Sequence, residues 1–436
     1  MPVRVVVIGA GFAGTAVAVA LLRRPDEISV ALVERSGSFG RGIAYSTPDS
    51  QHLLNVPAGS MSALADVPDD LVAWAHRRGL GVAPGDYLPR SVYGDYVEDV
   101  LAAADGGRLR RVTGEAVRIE RGDVVLADGE RVGGDVVVLA VGLGAPPVLP
   151  ALAAIEGHPG YVPDPWDFGA VTALAGSERV VVVGTGLTMI DVALTLSVDA
   201  GPEIVAVSTH GELPRVHAVE AEKPGEPAAR PGEFATADAL AARVEERARA
   251  AADWRLVIDA LRPVTQELWR RLPLAEKEAF FARHQRRWEV HRSRIAPQIG
   301  ARLRELQDAG RLRVAAATVA SAQPRGERIA LRLGAEAVIA DGVVNAIGPA
   351  WDCRLGDNAL LQHLLDSGTA IPGPVGLGLA TTADGRLLDS AGRASEHIVT
   401  LGSLRRGELW ETIAVPELRT QAAELAERLA GYATRT

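Results

Sequence analysis

Apolar runs without polar alternation punctuate this chain. Val3 to Ile8 is β-branched apart from Arg4, and Ile28 to Val33 is apolar apart from Ser29. Val136 to Val141, Val180 to Val183 and Ile204 to Val207 repeat the pattern. Such runs fit strands covered on both faces of a parallel sheet. Ala13 to Leu22 and Thr188 to Leu196 are rich in alanine, valine and leucine, or in leucine and threonine, and read as helices. Strand, helix and strand therefore follow one another twice, over 3–33 and over 179–207. Two short strands are expected at Leu109–Glu120 and Val124–Leu126, and another at Ile398–Leu401, ended by Gly402. A last helix is expected from about Glu417 to Leu429, with Pro416 at its start.

The turns between strand and helix carry the chemistry. Gly9, Gly11 and Gly14 complete G-x-G-x-x-G. The first glycine permits the tight turn, the second lets a pyrophosphate approach the backbone, and the third lets the helix pack on the strand. Glu34 stands 20 residues after Gly14, where a ribose-binding acid is expected. A glycine-rich turn without a ligand is the bland alternative. The second turn has Gly184, Thr185 and Gly186, but Met189 holds the third glycine's place. That side chain should push helix and strand apart without blocking the amides of Thr185 to Leu187. The expectation is a resident flavin in the complete motif and a transient nicotinamide in the incomplete one. A degenerate unit kept for packing is the alternative. No acid follows the second strand of this unit, and no arginine stands at Ser208-Thr209, so NADPH and NADH both stay open.

The segment 37–63 is long, irregular and rich in glycine, serine and proline. It suits a wrap around a flavin, whereas a nicotinamide domain goes on to its next strand. The predicted fold class is α/β, with two Rossmann-like dinucleotide-binding domains, the second inserted in the first, plus a helical insertion. An FAD-binding domain is expected over 1–150 and 350–436. An NAD(P)H-binding domain is expected over 151–349, with the helical insertion at about 233–310.

Composition narrows this picture. The chain has 436 residues, is 47% hydrophobic and 23% charged, and carries a net charge of −9, which argues against nucleic acid or an anionic membrane as partner. A single cysteine, Cys353, rules out a dithiol redox pair and a cysteine zinc site, and it reads as a buried bystander. No metal is expected. No apolar run approaches the ~20 residues of a membrane helix, and the first strand leaves no room for a signal peptide, so a cytoplasmic protein is expected.

The chain resembles the bacterial FAD/NAD(P)-binding flavoproteins with two dinucleotide domains, distantly similar to N-hydroxylating and Baeyer–Villiger monooxygenases. The resemblance runs through GAGFAG, GRGIAYSTPDSQHLLNVPAGSMSA, YLPRSVYGDYV, GHPGYVPDPWD, VVVGTGLTMIDV, RHQRRWEVHRSRIAP, VNAIGPAWD and LGSLRRGELWETIAVPELRTQA. The Baeyer–Villiger signature itself is absent. The resemblance implies bound FAD and oxidation of NADPH or NADH, and supplies no substrate. It places Gly9, Gly11, Phe12, Ala13, Gly14, Glu34, Arg35, Gly42 and Asn55 against FAD. Val117, Ala140 and Gly142 join them from the middle of the chain, and Gly402, Thr412, Ile413 and Ala414 from its end. Gly184, Thr185, Gly186, Leu187, Thr188 and Thr209 are expected at the nicotinamide dinucleotide. The start of the last helix is expected to stabilise reduced flavin through its dipole.

Candidate catalytic groups are sparse. Asn55 could hydrogen-bond the flavin or bound oxygen, while His52 reads better as a loop support. His284, Arg287, His291 and Arg294 fall on one face if 283–294 is a single helix. They form either an anion-binding wall or, the better expectation, a solvated basic face near acidic neighbours. The proline-rich stretch 211–234 reads as a lid or a plain connector. The main expectation is an NAD(P)H-dependent FAD monooxygenase that shields a flavin C4a-(hydro)peroxide and hydroxylates a small polar or amine-bearing molecule. The alternatives are a reductase or dehydrogenase without oxygen insertion, and a non-enzymatic flavin-binding sensor or partner subunit.

Overall fold

The computed structural model describes residues 3–433, except 26–27, 121, 199–200 and 220–221. The apolar runs become the centres of two parallel sheets. In the first, strand Val3–Ile8 lies between Ile28–Glu34 and Val136–Leu139, with Val5 opposite both Val30 and Val136. Leu109–Thr113 adds to one side, and Ala394–Thr400 followed by Arg386–Leu388 to the other. In the second, Arg179–Val183 lies between Glu203–Ser208 and Gly342–Asn345, with Leu312–Ala316 and Tyr161–Val162 at the edges. The central strands are mostly apolar because both faces of each sheet are covered.

The two sheets share one plan. Return strand, first strand, second strand and third strand stand side by side in the same order in each. Each also carries a three-stranded antiparallel ribbon between its third strand and its return strand. These ribbons are Ala116–Glu120, Asp123–Leu126 and Arg131–Gly133 in the first, and Val319–Arg325, Arg328–Leu333 and Glu336–Ala340 in the second. The expected strand at Leu109–Glu120 is thus two strands. Leu109–Thr113 pairs in the main sheet, and the chain breaks at Gly114 before Ala116–Glu120 enters the ribbon. The second unit sits between parts of the first: Ala394–Thr400 pairs with Val136–Leu139 although the whole second sheet separates them in sequence.

Helices Phe12–Leu22, Arg90–Ala104 and Val415–Ala433 cover one face of the first sheet. The last begins at Val415, earlier than expected, with Pro416 in its first turn. The irregular segment 37–63 contains a short helix, Gly42–Tyr45. Six helices between Ala237 and Asp308 form the insertion. The stretch 211–234, of which 220–221 lie outside the described residues, holds no helix or strand beyond a bridge from Val216 to Ile295. Backbone bonds from Arg215 to Val290 and from His217 to Ile295 seat its first part on the insertion. Among the described residues, no helix is long and apolar enough to cross a membrane.

Candidate functional site

The two glycine turns are built alike. Gly9 has φ +97° and Gly184 has φ +122°. A Cβ on Gly9 would lie 2.4 Å from the Ala140 carbonyl oxygen, and one on Gly184 would lie 2.3 Å from that of Ala346. Each turn therefore passes directly under the end of its return strand, where only glycine fits. Gly14 is as constrained, because a Cβ there would stand 1.9 Å from the Gly9 oxygen. Gly11 and Gly186 are different. The nearest atom to a Cβ on Gly11 would be the Gly42 Cα at 3.6 Å, and nothing lies within 4 Å at Gly186. At both second glycines the backbone faces a space that a side chain would fill, which is the form a phosphate cradle takes.

Met189 explains the missing third glycine. Its side chain is wholly buried in the second core with Val180 and Val182. Helix Leu187–Leu196 stands far enough from its strand to hold that side chain, while its N-terminal amides still open at Gly186.

The other residues expected at FAD gather around the first turn. One Glu34 carboxylate oxygen accepts from the Ala10 amide at 2.9 Å and the other from the Ser36 amide and hydroxyl at 3.0 Å, which orients the acid beside the turn. Arg35 points outward and is exposed. Gly42, at φ +55°, brings the short helix against Gly11. Phe12 packs edge-on to Tyr45, with ring centroids 6.4 Å apart, and contributes to the core as much as to the turn. Ala13 lies near Gly402, which has φ +71°. Ala140 and Gly142 follow the return strand, and Val117 is half-buried in the first ribbon.

The start of the last helix is locked to the end of strand Ala394–Thr400. The Thr412 hydroxyl donates to the Gly402 carbonyl at 3.2 Å, and Gln421 donates to Thr412 at 2.8 Å while accepting from the Gly402 amide at 3.2 Å. This leaves Ile413 and Ala414 facing a cleft. The first turn of the helix already carries an acid. Burial alone would raise the Glu417 carboxyl, but Arg262, at 2.6 and 2.8 Å, holds it below the usual carboxylate range. The positive end of the helix is thus shared between Glu417 and whatever occupies the cleft.

That cleft, about 920 Å³, is the largest concavity of the site. Its walls include Gly184 to Thr188, Ser208 and Thr209 from the second unit, and Asn55 to Pro57, Met61 and Ile413 to Val415 from the first. Asn55 lies in its wall, with its carbonyl accepting from His217 Nε2 at 2.9 Å. Burial, with Arg294 nearby, pushes the His217 imidazole down to about 4. His52 does not reach the cleft. It is buried, with Nε2 3.0 Å from both the Asp191 carbonyl and the Thr195 hydroxyl, and Nδ1 2.7 Å from the Thr47 hydroxyl. Its structural role as a loop support is the one observed.

The single helix face does not form, but acidic neighbours do stand beside these residues. Helix Leu274–Arg283 ends before His284, a new helix runs only over Gln285–Arg292, and Arg294 lies beyond it. His284 pairs with Asp238 at 2.6 Å, Arg287 with Glu245 at 2.8 Å, and Arg294 with Asp259. His291 Nδ1 is 2.8 Å from the Arg287 carbonyl. The neighbour of Arg287 matters more. Arg286 reaches back to the second turn, donating to the Thr185 hydroxyl at 3.0 Å and to the Glu212 carbonyl, and it lines the cleft. Arg286, and not Arg287, thus faces the second turn, and the break at His284 leaves no trace in residue spacing. Cys353 is buried, and burial pushes its thiol up to about 11, as suits a bystander.

Comparison with known proteins agrees with this geometry. Residues 6–144 match the model of a family described as FAD-NAD(P)-binding. No match is found among curated proteins. Among solved structures, the chain is similar to ornithine hydroxylase (PvdA) from Pseudomonas aeruginosa, with a TM-score of 0.66 and 17% identity, covering 99% of this chain and 100% of that one. It is also similar to the Kutzneria sp. 744 ornithine N-hydroxylase KtzI, solved with reduced FAD and NADP+, with a TM-score of 0.65, 16% identity and coverage of 99% and 100%. A third is the FAD-bound cadaverine monooxygenase DfoA from Erwinia amylovora, with a TM-score of 0.66, 12% identity and coverage of 99% and 95%. At these identities the likeness is one of fold. The family model covers residues 6–144, and the solved structures share the fold of the whole chain, whose two sheets repeat one plan with paired glycine turns.

Proposed function

We propose that the protein is an NAD(P)H-dependent FAD monooxygenase that oxidises a nitrogen-bearing small molecule. FAD is held by the parts formed by 1–150 and 350–436, and NAD(P)H by 151–349. The observation that carries this reading is the single cleft joining the second glycine turn to Asn55 and to the Ile413–Val415 helix start. A nicotinamide dinucleotide laid from Gly186 inward would bring its ring to the end where flavin residues are expected. Bound FAD supplies hydride acceptance from the nicotinamide and, once reduced, reaction with molecular oxygen.

The chain's own residues position and enclose. The amides beside Gly11 and Gly186 and the two helix starts receive phosphate. Glu34 is oriented for a ribose hydroxyl by Ala10 and Ser36. Arg286 stands at the second turn as a cation for the pyrophosphate or a 2′-phosphate. The wall at Asn55, Val56 and Met61 limits water at the flavin end. The ornithine N-hydroxylase among the similar structures supports nitrogen as the reacting atom.

The test is anaerobic reduction of the FAD-loaded protein by NADPH and by NADH, followed by mixing with oxygen. Rapid reduction and reoxidation delayed over seconds support a monooxygenase. Rapid reduction with immediate reoxidation and peroxide release indicates a reductase or dehydrogenase instead. A protein that takes up no FAD overturns the reading.

A further inference from the structure

A second cavity, about 320 Å³, lies inside the helical insertion, beside the cleft. Of the seven tryptophans in the chain, Trp254, Trp269, Trp288 and Trp410 line it. Leu240, Val244, Ile258, Leu261 and Leu268 complete its walls. So many indoles around one space exceed what core filling alone calls for in a chain that is only 4% aromatic.

Several polar groups of these walls are engaged elsewhere. The Trp269 indole donates to the Gly407 carbonyl at 2.7 Å, and the Trp288 indole donates to Glu411 at 2.9 Å. The Thr265 hydroxyl donates to the Leu261 carbonyl at 2.8 Å. At the rim, His284 and Arg287 are matched by Asp238 and Glu245. What faces the space is mostly hydrocarbon and ring surface, which gains by contact with apolar groups. Trp288 and Trp410 belong to both cavities, so the apolar space adjoins the cleft across these indoles.

We propose that this cavity takes the apolar body, an aryl or branched alkyl group, of the small molecule oxidised in the cleft. The substrate class is then an arylalkyl or alkyl amine, and not a diamine or an amino acid with charge at both ends. The proposal rests on the monooxygenase reading for its chemistry, but the binding it requires does not.

The test is calorimetric titration of the oxidised, FAD-loaded protein, without NAD(P)H, using 4-phenylbutylamine and 1,4-diaminobutane as probes. The phenyl compound is expected to bind at least about tenfold more tightly. Ala241→Trp and Ala248→Phe each place a ring in the cavity from helix Ala237–Ala250. Each is expected to weaken 4-phenylbutylamine at least about tenfold while leaving the rate of flavin reduction by NADPH unchanged. Having two variants guards against one that does not fold. Equal affinity for the two probes, no binding of the phenyl compound, or indifference to both fillings overturns the proposal. If 4-phenylbutylamine binds as expected but NAD(P)H does not reduce the flavin, the monooxygenase reading fails and the apolar site stands. If reduction is normal and the phenyl compound does not bind, the reverse holds.

Discussion

Arg90 and Asp191 meet in a two-point ion pair, Nη1 to Oδ2 at 2.6 Å and Nη2 to Oδ1 at 3.1 Å. Arg90 opens a helix that packs on the first sheet, and Asp191 lies on the helix that follows the second glycine turn. Both side chains are nearly buried, at 13% and 9% exposure. Removing one partner strands the other charge away from water. Arg90→Ala or Asp191→Ala is therefore expected to destabilise the protein by about 3–5 kcal/mol, measured by denaturant unfolding. Replacing both with leucine should cost much less than the sum of the single changes.

The first glycine turn separates fold from ligand. Gly14→Ala drives a methyl into the Gly9 carbonyl and should abolish soluble, folded protein. Gly11→Ala meets only an ordinary contact with Gly42 and should fold normally. Its methyl would stand where a pyrophosphate approaches, so FAD retained after gel filtration should fall about tenfold or more. Equal FAD content in Gly11→Ala and the parent would remove Gly11 from the site.

Met189 is a core residue at a nucleotide turn. Met189→Ala is expected to cost about 2–5 kcal/mol, through lost burial and the cavity left behind, and should not tighten NADPH binding. A variant with glycine at this position that bound NADPH more tightly would show that helix distance, and not the amides, limits the second site.

Arg286 is expected to favour the extra phosphate of NADPH. Arg286→Ala should raise KM for NADPH about tenfold, or ~1.4 kcal/mol, with a smaller change for NADH. Steady-state kinetics with both donors decides this, and an equal rise for both would assign Arg286 to the pyrophosphate.

His217 makes stability depend on pH. Its ring protonates near 6.5 when unfolded but near 4 in the fold, because burial and the nearby Arg294, with Arg292 in the same field, outweigh the opposing pull of the Asn55 carbonyl and Asp259. The stability it contributes is complete above about pH 6.5, declines as pH falls towards 4, and is then level, for a total of up to ~3 kcal/mol. His217→Gln keeps an N–H for the Asn55 carbonyl and should flatten that stretch of the profile in thermal melts.

Much of the fold was legible because buried parallel strands advertise themselves. Val3–Ile8 and Arg179–Val183 have the expected bounds, since beyond Arg4 and Arg179 both faces of each strand are buried. Helices Asp70–Arg77 and Arg90–Ala104 were not foreseen. The second mixes tyrosines, valines and acids without a clean stripe, its buried side holding Tyr93, Tyr96 and Val97. The glycines and Glu34 were legible because a phosphate turn dictates spacing. The role of Arg286 and the apolar cavity were not, since both arise from helices folding onto one another. The acids Asp238, Glu245 and Asp259, which neutralise the basic segment, lie dozens of residues ahead of it, where no periodicity connects them.

The pairing of Ala394–Thr400 with Val136–Leu139 also governs how the molecule is made. During synthesis the strands of the second sheet, Tyr161 to Asn345, emerge as one continuous block and have all their partners at hand. The first sheet does not, for its edge and the helix that covers Phe12–Leu22 arrive only with the last stretch of chain. One edge of Val136–Leu139 must wait unpaired, and Phe12–Leu22 must wait uncovered, while more than half the protein is translated. The block that begins later is thus positioned to finish earlier, and the closing of the long loop around it is expected to be the slow step.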